Sequence, residues 1–186
     1  MSTKNLVNVL NDLLPSPDVE TSHQITVRAP VEAVYDAARS VDLSSSTLVR
    51  WLFRLRGLPA SALSLNGLEQ LRFKPLAEER PDHFVLGLVG QFWHPAGRLL
   101  DFDPSEFATL RKPGFAKAIW AFHVSAVANG GSELHTVTRV ACEDEQARRR
   151  FWWYWRVVGP FSRLVRRSAL NAIRTKAEAG SAAGSV

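Results

Sequence analysis

The residues best suited to metal binding, proton transfer or nucleophilic attack are five histidines and one cysteine: His23, His83, His94, His123, His135 and Cys142. No histidine pair has the spacing of a preformed metal site, and a single cysteine excludes an internal disulfide and a cysteine-based zinc cluster. The acidic residues after Cys142 oppose formation of its thiolate. The chain also lacks the GxSxG, GxGxxG and GxxxxGKS/T motifs. We therefore expect no metal and no cofactor, and the catalytic residues, if any, remain unknown.

Basic residues are concentrated near the C-terminus. The chain has 23 Lys and Arg against 18 Asp and Glu, and residues 144–178 hold nine basic and three acidic residues. Three interpretations stay open: a solvated helix face, a surface for an anionic membrane, or a site for an anionic ligand, protein or RNA. No RNA-binding motif is present, so we expect no specific nucleic acid. Trp152 and Trp153 cannot both share a helix face with Phe151 and Trp155, which predicts exposed aromatic side chains beside the arginines.

Length and composition favour one globular domain. The chain has 186 residues, of which 46% are hydrophobic and 22% are charged. Residues 1–20 are predicted to form a leader that docks on the domain or hangs free, residues 21–178 the domain, and residues 179–186 a disordered tail. Neither a signal peptide nor a membrane-spanning run is recognisable, which favours a cytoplasmic location. The oligomeric state is unknown.

Hydrophobic periodicity predicts the elements that position these residues. Strand alternation is seen over residues 22–30, followed by helical patterns over 31–41 and 47–58. Five strand-like segments follow: 67–78, 82–93, 97–103, 114–128 and 132–142. A long helical pattern begins at residue 143, and Gly159-Pro160 is expected to kink or interrupt it. This order predicts an α+β fold with about six antiparallel strands, two short helices and a long C-terminal helix.

Two segments carry a resemblance to a known superfamily: ITVRAPVEAVYDAARSVDLS joins the first strand to the first helix, and ARRRFWWYWRVVGPFSRLVRR lies in the last helix. Over residues 21–178 the chain resembles the START-like, or SRPBCC, superfamily, which has a helix-grip, Bet v 1-like fold. Within it, the chain looks like bacterial proteins described as polyketide cyclase/dehydrase-like. The resemblance implies a curved antiparallel sheet with the C-terminal helix across its concave face and a ligand cavity between them.

Under this resemblance, the cavity wall consists of alternate strand residues and the inward face of the last helix. Alternation places Ile25 and Val27 on the inner face, whereas the strand at 82–93 has two almost equally apolar faces and stays ambiguous. The predicted ligand-binding residues are Trp93, Trp120, Phe122, Thr136, Thr138, Arg139, Tyr154, Trp155 and Val158. The alternative for each apolar member is ordinary core packing.

Three functions are consistent with this sequence. The first is binding of a small or medium hydrophobic molecule, such as a lipid, an isoprenoid or an aromatic polyketide-like compound. The second is a cyclase or aromatase, in which a tyrosine, histidine or arginine moves a proton. The third is a module that docks on a membrane or a protein through the basic helix. We rank binding above catalysis because the sequence offers no matched acid and base.

Overall fold

The computed structural model describes residues 3–40, 72–94, 98–128 and 130–183. Its helices are α1 (Thr3–Leu13), α2 (Val31–Arg39) and α3 (Glu145–Ala183), and its strands are β1 (Val19–Val27), β2 (Lys74–Glu79), β3 (His83–Gly90), β4 (Ala116–Ala126) and β5 (Ser132–Cys142). The predicted helix at 47–58 lies outside the described residues. The prediction of an α+β fold, with an antiparallel sheet and a long C-terminal helix in helix-grip order, is confirmed.

The five strands form one antiparallel sheet in the order β1-β5-β4-β3-β2. In the segment at 97–103, expected to be a further strand, the described residues 98–103 contribute an isolated bridge between Leu100 and Val89 and no strand. Extended pairing stops there because Asp103 accepts a hydrogen bond from the backbone N–H of Ser105 and begins a 3₁₀ turn at Pro104–Glu106. The described residues therefore form five strands rather than about six.

The inner face of the sheet packs against α2 and α3 through two separate apolar clusters. The first inner cluster joins buried residues of the sheet and α2 to the second half of α3; it includes Val27, Val34, Phe84, Phe122, Leu134, Leu170 and Ile173. The second inner cluster joins the other end of the sheet to the start of α3; it includes Ala116, Val140, Cys142, Ala147 and Phe151. Phe84 and Leu86 belong to the first cluster, so the even-numbered residues of β3 face inward.

The outer face of the sheet is covered by α1. Leu6, Leu10 and Leu14 recur every four residues, are each 2% exposed, and pack in one cluster with Val85 and Val137. Full burial of a leucine side chain contributes about 1.5–3 kcal/mol. The N-terminal segment thus docks on the domain. The outer faces of β3 and β4 are largely removed from water, whereas the outward residues of the edge strand β1 are exposed.

Helix α3 continues through Gly159 and Pro160. Pro160 is exposed and lacks the N–H that would bond to the preceding turn. The expected interruption is absent because one helix spans this position, and the alternative of a kink stays a prediction. The helix also includes most of the predicted tail, because it extends to Ala183 in an alanine-rich segment of high helix propensity. Among the described residues, none of the helices is long and apolar enough to cross a membrane.

Candidate ligand-binding site

A layer of polar side chains separates the two inner clusters. On the sheet it consists of Thr21 and His23 of β1 and Thr136 and Thr138 of β5, and the register pairs Thr21 with Thr138 and His23 with Thr136. Ser162 and Arg166 of α3 stand one helical turn apart, between the α3 residues of the second cluster and those of the first. We call these six residues the interior polar belt.

Arg166 is the most unusual member of this belt. Its side chain is 4% exposed, and Nη1 donates a hydrogen bond to Ser162 Oγ at 3.0 Å. Nε and Nη2 are buried and have no hydrogen-bond partner among the described residues. Burial, followed by the charge of Arg163, lowers the pKa of Arg166 to about 10, so the guanidinium is still charged at neutral pH. A buried charge without a counter-ion is strongly destabilising, which marks this position as one that needs a partner.

Two side chains of β1 also have buried polar atoms without hydrogen-bond partners among the described residues. Thr21 Oγ1 and His23 Nδ1 are buried and have no hydrogen-bond partner in the part of the chain that is described. Burial lowers the pKa of His23, and the nearby charges of Arg166, Arg167 and Arg163 lower it further. His23 is therefore neutral at pH 7 and faces the positive charge of α3.

On the side of β4, Trp120 borders the belt and contacts Thr136. Trp120 Nε1 donates a hydrogen bond to Thr136 Oγ1 at 2.8 Å, and this hydroxyl donates to the Ala121 carbonyl oxygen at 2.9 Å. The Trp120 ring lies 4.8 Å from that of Phe122, centre to centre. These two polar groups are satisfied within the protein, in contrast to the groups of Thr21, His23 and Arg166.

A cavity of about 490 Å³ lies between β1 and α3 and reaches the belt at His23. Its lining residues are His23, Gln24, Ile25, Arg167, Leu170 and Asn171. Small-molecule sites typically enclose about 300–1,000 Å³ and combine apolar walls with a few polar groups. The cavity therefore has the size for a small molecule, and of the three residues with unpartnered atoms it is lined by His23.

The structure distributes the predicted ligand-binding residues over the belt, the two inner clusters, the surface of α3 and the outer face of the sheet. Thr136, Thr138 and Trp120 belong to the belt or border it, and Phe122 is stacked on Phe84 in the first inner cluster. The other aromatic residues, Trp93, Tyr154 and Trp155, pack against the second inner cluster, and Val158 is half-buried on α3.

Arg139 lies on the outer face of the sheet, away from the two threonines with which we grouped it. Its Nε donates to Glu20 Oε2 at 2.6 Å, and its Nη1 donates to Asn11 Oδ1 at 2.8 Å and to the Leu14 carbonyl oxygen at 3.3 Å. An odd-numbered residue of β5 points opposite to Thr136 and Thr138. Arg139 therefore holds α1 on the sheet.

The predicted ligand-binding residues did not include Thr21, His23, Ser162 or Arg166. The signal for His23 was its alternation with Ile25 and Val27 on β1, which places it on the inner face. The signal for Arg166 was its position seven residues before Ile173, on the apolar stripe of the last helix.

The outer face holds a second group of titratable side chains. The register brings His83, His123 and His135 side by side on adjacent strands. His83 Nδ1 lies 2.8 Å from Asp82 Oδ2, and His123 Nε2 lies 3.6 Å from Asp82 Oδ1. Glu79, Asp82 and His83 offer three possible ligand atoms within 4.8 Å of one another. Asn5 donates to Glu79 and His83 pairs with Asp82, so protein contacts account for Glu79, Asp82 and His83, whereas His123 Nε2 is buried without a hydrogen-bond partner among the described residues.

Cys142 does not have the character of a nucleophile. Burial and the neighbouring Asp18 carboxylate raise the pKa of its thiol to about 12. The thiolate is the reactive form of cysteine, so this side chain is almost entirely unreactive at neutral pH.

Comparisons with known proteins were made for the sequence and for the fold. Neither a family model nor a curated protein matches the sequence. Solved structures that resemble the chain include TTHA0849 from Thermus thermophilus, with 10% identity, a TM-score of 0.32, and coverage of 90% of this chain and 100% of that one.

Two further structures resemble it at a similar level. The Zhui aromatase/cyclase from a Streptomyces species has 15% identity and a TM-score of 0.32, over 86% of this chain and 93% of that one. Ara h 8.0201 has 9% identity and a TM-score of 0.26, over 83% and 97% respectively. Similarity at these scores does not indicate the function of this chain; the helix-grip architecture is defined by its own strand order and helices.

Proposed function

We propose that the protein binds a hydrophobic small molecule in the space between the sheet and α3. The observation that carries this proposal is the interior polar belt, where three residues leave buried polar atoms without hydrogen-bond partners among the described residues, between two apolar clusters. Such groups are rare in folded proteins unless water, an ion or a ligand satisfies them. The cavity beside His23 supplies an entrance, and lipids, isoprenoids and aromatic polyketide-like compounds are the candidate ligand classes. The resemblance of the β1–α2 junction and of α3 to START-like sequences supports membership in that superfamily.

The test is titration with Nile red, a neutral fluorophore that emits strongly in apolar surroundings. We expect saturable binding of one molecule per chain. Asn171 is exposed and lines the cavity, so Asn171→Trp will narrow the entrance and weaken binding about tenfold or more, whereas Thr175→Trp, one exposed turn further along α3, will leave binding unchanged. The absence of saturable binding, or equal affinity for both variants, would contradict the proposal.

We rank ligand binding above catalysis because, of the six belt residues, one can exchange a proton near neutral pH. That residue is His23. The second acid or base that a cyclase needs is missing from these six residues. The cyclase alternative predicts turnover that depends on His23, and a His23→Gln variant that binds substrate without converting it would favour that alternative.

A second candidate function is docking on an anionic membrane through the outside of α3. Trp153, Val157 and Leu164 are 73%, 66% and 41% exposed and lie on one side of the helix at 3.6 residues per turn. Arg149, Arg156 and Arg163, spaced seven residues apart, form an exposed row beside them.

Charge complementarity favours an anionic membrane as the partner of this surface. Residues 146–177 contain nine Lys and Arg and no Asp or Glu. An apolar stripe beside a basic one is typical of helices that lie in the headgroup region of anionic bilayers.

Vesicle sedimentation tests this second function. We expect binding to phosphatidylcholine vesicles that contain phosphatidylglycerol and none to phosphatidylcholine alone. Trp153→Gln will weaken the binding about tenfold, and the exposed control Thr175→Gln will not. Equal binding to both vesicles, no binding, or an unaffected Trp153 variant would refute membrane docking.

A further inference from the structure

The unpartnered atoms of Arg166 define the chemistry of what would satisfy them. Nε and Nη2 lie on the same edge of the planar guanidinium, so their N–H bonds point in the same direction. Nη1 already donates to Ser162 Oγ, which fixes the orientation of the group. The free edge is the one that binds a carboxylate with two parallel hydrogen bonds.

The other unpartnered atoms of the belt are Thr21 Oγ1 and His23 Nδ1. Thr21 and His23 are two residues apart on the inner face of β1, and the charge of Arg166 acts on His23 strongly enough to lower its pKa. Thr21 can donate through its hydroxyl, and neutral His23 can donate when the proton is on Nδ1. Together with the two guanidinium N–H groups, the belt offers four donors, and a carboxylate has about four lone-pair sites to accept them.

The charges around the belt favour an anion. Arg163 and Arg167 flank Arg166 on α3, and both lower the pKa of His23. Among the described residues, Arg166 forms no ion pair with a carboxylate of the protein, so its charge is uncompensated in the ligand-free state.

We propose that the ligand of this protein carries a carboxylate, which binds the free edge of Arg166 and the side chains of Thr21 and His23, while its hydrophobic body occupies the space toward Ile25 and Leu170. This inference rests on the proposed binding function and specifies the ligand class. It also assigns Arg166 as the residue that distinguishes acids from neutral molecules of the same shape.

The experiment compares octanoic, dodecanoic and hexadecanoic acids with the alcohols of the same chain lengths, by isothermal titration calorimetry at pH 7. For the wild-type protein we expect the best-fitting acid to bind about ten- to a hundredfold more tightly than its alcohol. In Arg166→Met this preference will disappear while the alcohol still binds, which shows that the variant is folded. The exposed-residue control Arg150→Met will keep the full preference.

The outcomes distinguish a failure of the carboxylate site from a failure of the hydrophobic binding function on which it rests. Equal affinity for acids and alcohols, or a preference that survives in Arg166→Met, would overturn the carboxylate site and leave hydrophobic binding intact. If neither series binds and Nile red does not bind either, the binding function itself is wrong. If Nile red binds and neither series does, the carboxylate inference alone is refuted.

Discussion

Replacement of Arg166 by methionine should stabilise the ligand-free protein. Methionine has a long, unbranched side chain that keeps most of the volume of arginine but carries no charge. Burial, followed by the charge of Arg163, lowers the pKa of Arg166 to about 10, which corresponds to a penalty of about 3 kcal/mol for the charged form. Loss of the hydrogen bond to Ser162 costs about 1 kcal/mol, so the expected net gain is about 2 kcal/mol.

Urea unfolding followed by circular dichroism measures this gain. The midpoint should shift to higher urea with an unchanged slope. Because the lowered pKa of Arg166 is still far above 7, the guanidinium of the wild-type protein is fully charged at every pH below about 9. The stability gained by Arg166→Met should therefore not vary with pH in that range. Arg149→Met, the same change at an exposed position, should stay within about 0.5 kcal/mol of the wild type. A variant at Arg166 that is less stable than the wild type would refute the reasoning, because the guanidinium would then be satisfied inside the protein.

Three other predictions concern groups outside the belt. Burial lowers the pKa of His123, so protonation favours the unfolded chain and the free energy of unfolding should fall as the pH decreases below about 6.5. Urea unfolding at several pH values should show a smaller loss of stability for His123→Gln than for the wild type. An equal loss in both proteins would contradict this. Arg139→Met should cost about 1–3 kcal/mol by removing the contacts that hold α1, as measured by urea unfolding, and a neutral result would show that α1 is held by its leucines alone. Cys142 should resist iodoacetamide at pH 8 in the native protein and react in urea, as followed by mass spectrometry; rapid native alkylation would disprove the raised pKa of its thiol.

The fold was largely predictable because its longest elements have clear periodicity. Residues of β4 and β5 alternate between faces, and α3 has an apolar stripe along most of its length. The pairing of α1 with the outer face was not predictable, since an apolar stripe does not specify the surface on which it packs. Residues 97–103 have strand-like composition, but local capping by Asp103 determines their structure instead.

The candidate site was predictable in part. Thr136 and Thr138 share the parity of the inner face, and the opposite parity of Arg139 was already present in the sequence. Arg166 was harder to recognise because Arg163 and Arg167 flank it. Which of three neighbouring arginines is buried depends on the rotation of α3 about its axis, and packing against the sheet determines that rotation.

The most direct test of ligand binding is native mass spectrometry of the wild-type protein and Arg166→Met, both purified from the natural host, with identification of any small molecule released on denaturation. The wild-type protein should release one hydrophobic carboxylic acid per chain, and the variant should be depleted of it. A wild-type protein that carries no small molecule, or equal amounts of the same molecule in both proteins, would contradict the proposal that Arg166 recognises a ligand between the sheet and α3.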